Sequence, residues 1–251
     1  MLNHFDVFDS HFHIINTDFP VVANNGYMPD EFTCDDYLAR TKHYRLVGGA
    51  IVSGSFQGFD QTYLVDSLEK MGNLFVGVTQ LPASVSDQEL IRLDKAGVRA
   101  VHFNLKRGGS EDVSQLVAMG KRVYDLLGWH VELYVDSKEL LHLYDALLAL
   151  PLVSIDHLGL SSSGLDLLKQ LASKGIKIKA TGFSRVNFDV GKVLKELYAE
   201  NPASLMFGTD LPSTRAPSSY KNEDLLLVID TLGEVAAKQV LSENALAFYM
   251  R

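Results

Sequence analysis

Val98-Arg99-Ala100-Val101-His102-Phe103-Asn104, then Leu126-Leu127-Gly128, then Val131-Glu132-Leu133-Tyr134-Val135-Asp136: this stretch decides how the chain folds. Its two ends are short, largely apolar runs of the length of a buried strand. Between them Val113, Leu116, Val117, Val123, Leu126 and Leu127 recur at helical spacing until a glycine stops them. The unit is strand, helix, strand, which calls for parallel pairing. It repeats along the whole chain, with strands predicted at 5–10, 47–53, 74–79, 98–104, 131–136, 152–157, 176–180 and 205–209. Leu140, Leu141, Leu143, Tyr144, Leu147 and Leu148 mark another of the intervening helices. Asp60, Ser86 and Ser137 supply helix-starting side chains, and Gly72, Gly97, Gly128 and Gly175 supply stops.

Eight such units in 251 residues match a closed (β/α)8 TIM barrel, read as one domain over 1–251. An open doubly wound sheet would carry a glycine-rich turn after its first strand. No G-x-G-x-x-G or Walker loop occurs, and Val47-Gly48-Gly49-Ala50 lies inside a strand. The irregular stretches 14–33 and 212–221 read as loops over the barrel mouth.

Composition narrows the classes of function. Hydrophobic residues make up 47% and charged residues 22%, and neither an apolar run of roughly 18 residues nor a cationic leader is present. The expectation is a soluble cytoplasmic protein with no membrane partner. Acidic residues outnumber basic ones by 31 to 23 and the cations are dispersed, which argues against nucleic acid. The lone Cys34 sits beside Asp35 and Asp36, which disfavour its thiolate, so it is not nominated as a nucleophile.

Active sites of such barrels form where strands end and βα loops begin. His11 and His13 leave strand 1, Asn104 and Arg107 follow strand 4, Tyr134 and Asp136 close strand 5, and Asp156 and His157 close strand 6. Arg185 follows strand 7 and Asp210 closes strand 8. His4, His43, His130 and His142 fall elsewhere and read as structural or solvated. If Phe5, Val7, Asp9, His11 and His13 share one strand face, the two imidazoles converge on one small volume, with Asp9 orienting a ring.

Asp9-Ser10-His11-Phe12-His13, Ile155-Asp156-His157-Leu158-Gly159 and Gly208-Thr209-Asp210-Leu211-Pro212 together resemble the amidohydrolase superfamily. Within it the chain is similar to the amidohydrolase-related branch of small-lactone hydrolases that includes 2-pyrone-4,6-dicarboxylate lactonase. Val101-His102-Phe103-Asn104, Gly128-Trp129-His130-Val131 and Asn244-Ala245 support the likeness. The resemblance implies a hydrolase in which Asp210 takes a proton from water while His11, His13 and His157 polarise the carbonyl. Tyr134, Asn104, Arg107 and Arg185 would bind substrate. The histidine or lysine that metal-dependent relatives place at the end of strand 5 is replaced by Tyr134, so no cofactor is expected. The alternative is Zn²⁺ on His11, His13 and Asp210, with Asp136 as a further ligand. His102 and Leu160 stand where that branch carries arginines, which favours a monocarboxylated or neutral lactone. Two other classes remain open: a zinc-dependent decarboxylase of the aminocarboxymuconate-semialdehyde type, and a non-catalytic ligand-binding barrel.

Overall fold

In the computed structural model, which describes residues 4–250, eight parallel strands are neighbours in the order in which they occur along the chain. They are β1 (Asp6–Phe12), β2 (Arg45–Val52), β3 (Phe75–Thr79), β4 (Val98–Asn104), β5 (His130–Tyr134), β6 (Val153–Ile155), β7 (Lys177–Ala180) and β8 (Leu205–Phe207). Outside them run α1 (Cys34–Thr41), α2 (Thr62–Met71), α3 (Asp87–Lys95), α4 (Leu116–Leu127), α5 (Leu140–Leu148), α6 (Leu165–Ser173), α7 (Val190–Glu200) and α8 (Asn222–Leu232). The strands are buried on both faces, so they read as continuous apolar runs rather than as alternating ones. This is the (β/α)8 barrel. No helix among the described residues is long and apolar enough to cross a membrane.

Strand β6 is shorter than its apolar run: Asp156 N–H still donates to the Leu133 carbonyl of β5 at 2.9 Å, but His157 turns away with a left-handed φ of 51°. Ser86 caps α3 as expected, accepting from the Glu89 amide. Ser137 does not cap its helix; Asp136 does, by accepting from the Lys138 amide at 3.3 Å. His43 lies in the turn after α1.

Strand β1 departs from regular alternation. Asp9 pairs with Gly49 but Phe12 pairs with Ile51, so one extra residue bulges out between them. Before the bulge Phe5 and Val7 pack outward against the helices, while Phe8 packs inward with Met206, Phe248 and Tyr249. After it Phe12 stacks on Tyr37 of α1 with ring centroids 3.8 Å apart, and His11 and His13 turn into the barrel. The expected common face of Phe5, Val7, Asp9, His11 and His13 is therefore split by the bulge.

Asp9 lies at the seam where β8 meets β1. Its carboxylate accepts from Thr209 N at 2.8 Å, Thr209 Oγ1 at 2.6 Å, Tyr37 Oη at 3.1 Å and His11 N at 3.2 Å. It touches no imidazole, so its expected orienting role gives way to joining two strands and a helix. Burial pushes its pKa up to about 6 despite these donors. The seam is completed by Asp210 N–H donating to the His11 carbonyl and His13 N–H to the Leu211 carbonyl, both at 2.7 Å.

The opposite end of the barrel is plugged. Helices α9 (Glu234–Lys238) and α10 (Asn244–Tyr249), joined by a π-helical turn, bring Phe248 and Tyr249 against Phe8, Ala50, Val76 and Met206 inside the strands.

Candidate active site

His11, His13 and His157 form a cluster at the open end of the barrel, with ring centroids 5.1 Å apart for His11 and His13 and 4.7 Å for His11 and His157. Asp210 faces them from the turn after β8. Its backbone adopts a left-handed φ of 59°, held by the bond from its amide to His11. Arg185 Nε donates to Asp210 Oδ2 at 2.7 Å, while Oδ1 is buried with no hydrogen-bond partner. That oxygen lies 3.9 Å from His13 Nε2 and 4.0 Å from His157 Nε2, too far for direct bonds.

Neighbours dictate what each ring can do. His13 Nδ1 lies 2.7 Å from the Val52 carbonyl, which can only accept, so the neutral ring carries its proton there and offers a lone pair at Nε2. His157 Nδ1 lies 2.7 Å from the Thr181 hydroxyl, which can donate and leave the proton on Nε2. Burial, then the neighbouring His11, holds both rings well below the usual histidine pKa of 6.5. Both are neutral at pH 7.

The expected substrate contacts line the same pocket: Asn104, Arg107, Tyr134 and Arg185, with His102, Phe56 and Arg215 beside them. Tyr134 packs its ring edge-on to His157 at 4.8 Å. Asn104 Oδ1 accepts from the Arg107 amide at 2.9 Å and shapes the turn that carries this arginine. Arg185 is engaged by Asp210 and by the Thr214 carbonyl, so it steadies the carboxylate as well as facing the pocket. Asp136 is not in the pocket; it pairs with Lys106 at 3.0 Å on the outer side of the barrel.

The profile of the amidohydrolase family matches residues 8–251. The chain belongs to that family. A relative from Comamonas testosteroni, a 2-pyrone-4,6-dicarboxylate hydrolase, is 26% identical over 266 residues, spanning 95% of this chain and 86% of its own. Among solved structures, a probable 2-pyrone-4,6-dicarboxylic acid hydrolase from Acinetobacter baumannii with citric acid bound superposes with a TM-score of 0.84 at 20% identity, covering 98% and 99% of the two chains. An Agrobacterium tumefaciens protein superposes with a TM-score of 0.83 at 21% identity over 100% and 99%. These likenesses in structure speak for the fold.

Sequence reading of this amidohydrolase placed Asp156 at a strand end but missed Glu132 and Lys179, which make with it a charged layer under the pocket. Lys179 Nζ pairs with Glu132 Oε2 and lies 3.2 Å from His11 Nδ1 and 3.6 Å from Asp156 Oδ1, with Lys179, Glu132 and Asp156 all fully buried. His102 Nε2 bonds Asp156 Oδ2 at 2.9 Å, and Tyr249 donates to Glu132. Burial alone would raise the Glu132 pKa, but the Lys179 ammonium and His130 beside it bring it down to about 2. The signal was there: a charge in mid-strand at Val131-Glu132-Leu133 and at Ile178-Lys179-Ala180. Arg215, which had been read only as part of a mouth loop, was missed as well.

Among the described residues two groups come close enough to hold a metal ion, His11 with His157 and Asp210, and His11 with Glu132 and Asp156, ligand atoms within 4.8 Å of one another. The expected set of His11, His13 and Asp210 is not among them. Both groups already hold a fixed cation. At His11 Nδ1 the Lys179 ammonium, which only donates, is nearer at 3.2 Å than the accepting Asp156 Oδ1 at 3.4 Å, an order that favours a lone pair at Nδ1 and the ring proton at Nε2. Asp210 is likewise engaged by Arg185. A divalent ion at either group would meet a cation already in place, which opposes it by charge, although Asp210 Oδ1 is unpartnered.

Proposed function

We propose that this protein hydrolyses a small carboxylated lactone by direct attack of water, without a metal ion. The observation that carries this reading is the unpartnered, buried Oδ1 of Asp210, facing His13 and His157 at 3.9 and 4.0 Å. Gaps of that size suit a bridging water. Such a water donates one hydrogen to Asp210 Oδ1 and the other to the His13 Nε2 lone pair, leaving an oxygen lone pair for the carbonyl carbon. His13 therefore serves the water rather than the carbonyl. As the new C–O bond forms, Asp210 takes the proton, and the developing oxyanion is met by Nε2–H of His11 and of His157. The ring C–O bond then breaks, and Asp210 returns its proton to the departing oxygen. The leaving group stays tethered, so no covalent enzyme intermediate is needed.

The substrate class follows from the mouth. Arg107 and Arg215 line the pocket, and neither guanidinium has an acidic partner within ion-pair distance among the described residues. A carboxylate on the lactone would pair with them. The Comamonas relative acts on a pyrone dicarboxylate by its name, and the Acinetobacter structure holds citric acid; both support an acidic substrate.

The test is a panel of lactones, neutral and carboxylated, followed by base uptake at constant pH, with metal analysis of the same purified protein. Ring opening of a carboxylated lactone, unaffected by chelators and without stoichiometric zinc, is expected. Stoichiometric zinc with activity lost on chelation would overturn the metal-free mechanism, and tight binding of a lactone with no turnover would reduce the protein to a binder.

A further inference from the structure

A lysine sealed inside a barrel is costly unless its charge is used, because the ammonium loses its hydration. Lys179 points inward from β7 and is wholly buried. Its partners come from three other strands: Glu132 of β5, Asp156 at the end of β6 and His11 of β1. These three are the same side chains that converge within 4.8 Å as a candidate metal group, and Nζ touches all of them. Both Glu132 oxygens are occupied, Oε1 by His130 and Tyr249 and Oε2 by Lys179. Asp156 Oδ2 is taken by His102, whereas Oδ1 has no hydrogen bond of good geometry and lies 3.4 Å from His11 Nδ1 and 3.6 Å from Nζ.

We propose that Lys179 is a built-in cation holding the place a divalent ion would take among His11, Glu132 and Asp156, and that it positions His11 with Nε2–H aimed into the pocket. It is a positioning residue, since it acts on the reacting atoms only through His11. What the aimed proton does in turnover rests on the proposed lactone hydrolysis; the place of the cation and the tautomer do not.

The experiment uses the full chain with Lys179→Ala and Lys179→Met, zinc chloride and ethylammonium as probes, and three readouts: ring ¹⁵N NMR of His11, zinc stoichiometry after dialysis, and steady-state kinetics. In the wild type His11 carries its proton on Nε2 and zinc is not taken up. Lys179→Met redistributes the ring proton and lowers kcat about tenfold or more while KM stays within about twofold. Lys179→Ala takes up one equivalent of zinc, and ethylammonium restores the wild-type His11 spectrum. Should the single variants fail to fold, Lys179→Met with Glu132→Gln removes both charges together and gives the same spectral test. A wild-type proton on Nδ1, a His11 tautomer unchanged without Lys179, or equal zinc uptake by wild type and Lys179→Ala overturns the proposal. A protein that turns over no lactone yet gives the expected spectra and zinc uptake refutes the proposed hydrolysis and leaves the assignment of Lys179 standing.

Discussion

At the scale of single residues, Asp210 is the point on which the proposed chemistry turns. Asp210→Asn keeps the shape and the contact with Arg185 but removes the base, so turnover falls on the order of a hundredfold or more while the unfolding midpoint is little changed. Retained activity in a steady-state assay would exclude Asp210 as the base. A second prediction concerns His13, which burial keeps neutral well below 6.5. Unfolded, it binds a proton as pH falls through 6.5; folded, it does not. Protons therefore favour the unfolded chain, and the stability this ring allows is lost as pH drops below 6.5. Asp9 works in the opposite sense, since its folded pKa of about 6 lies above the ordinary 3.8 and the native state binds the extra proton. A comparison of variants separates the two. Between about pH 7.5 and 5.5, His13→Gln loses less stability to acid than wild type, by up to about 1.4 kcal/mol in urea unfolding. The candidate residues at strand ends were legible because barrel geometry gathers them there; the proton positions were not, because they depend on Val52, Thr181, Lys179 and Asp156, which other strands bring to the rings.

At the scale of elements, the bulge in β1 and the two mouth loops matter most. Alternation along 5–13 gave no sign of the extra residue, since all of these residues but Asp6 are buried, whichever face they take. The loops were read as loops, but their clasp was not. Arg215 reaches across from the loop after β8, its Nη1 donating to Asn24 Oδ1 at 3.0 Å and its guanidinium stacking 4.3 Å from the Tyr27 ring centre. Burial, then Arg107 nearby, lowers its pKa. Arg215→Ala releases this clasp and one cation together. The expected result is a KM for a carboxylated lactone raised about tenfold, worth ~1.4 kcal/mol, with a smaller change in kcat and faster proteolytic cleavage within 14–33. Unchanged KM and cleavage would show that the clasp is idle.

At the scale of the molecule, the barrel stacks an apolar plug, a charged middle layer and a polar mouth. Tyr249 joins the first two, its ring stacked on Phe8 at 5.3 Å and its hydroxyl donating to Glu132. Tyr249→Ala should cost about 3–5 kcal/mol in urea unfolding, a core-aromatic loss made at the far end of the chain. A cost under about 1 kcal/mol would mean that the plug is dispensable. What the sequence by itself determined was the eight strand-helix units and the set of polar residues at their ends, because periodicity and glycine stops are local properties. Only the tertiary structure decided which way His11 and His13 face, that Asp9 serves the seam and not a ring, and that Lys179 sits beneath the pocket. Those outcomes depend on closure of β8 onto β1, where Asp9 and Thr209 meet across 200 residues of chain. No local pattern records a contact over that separation.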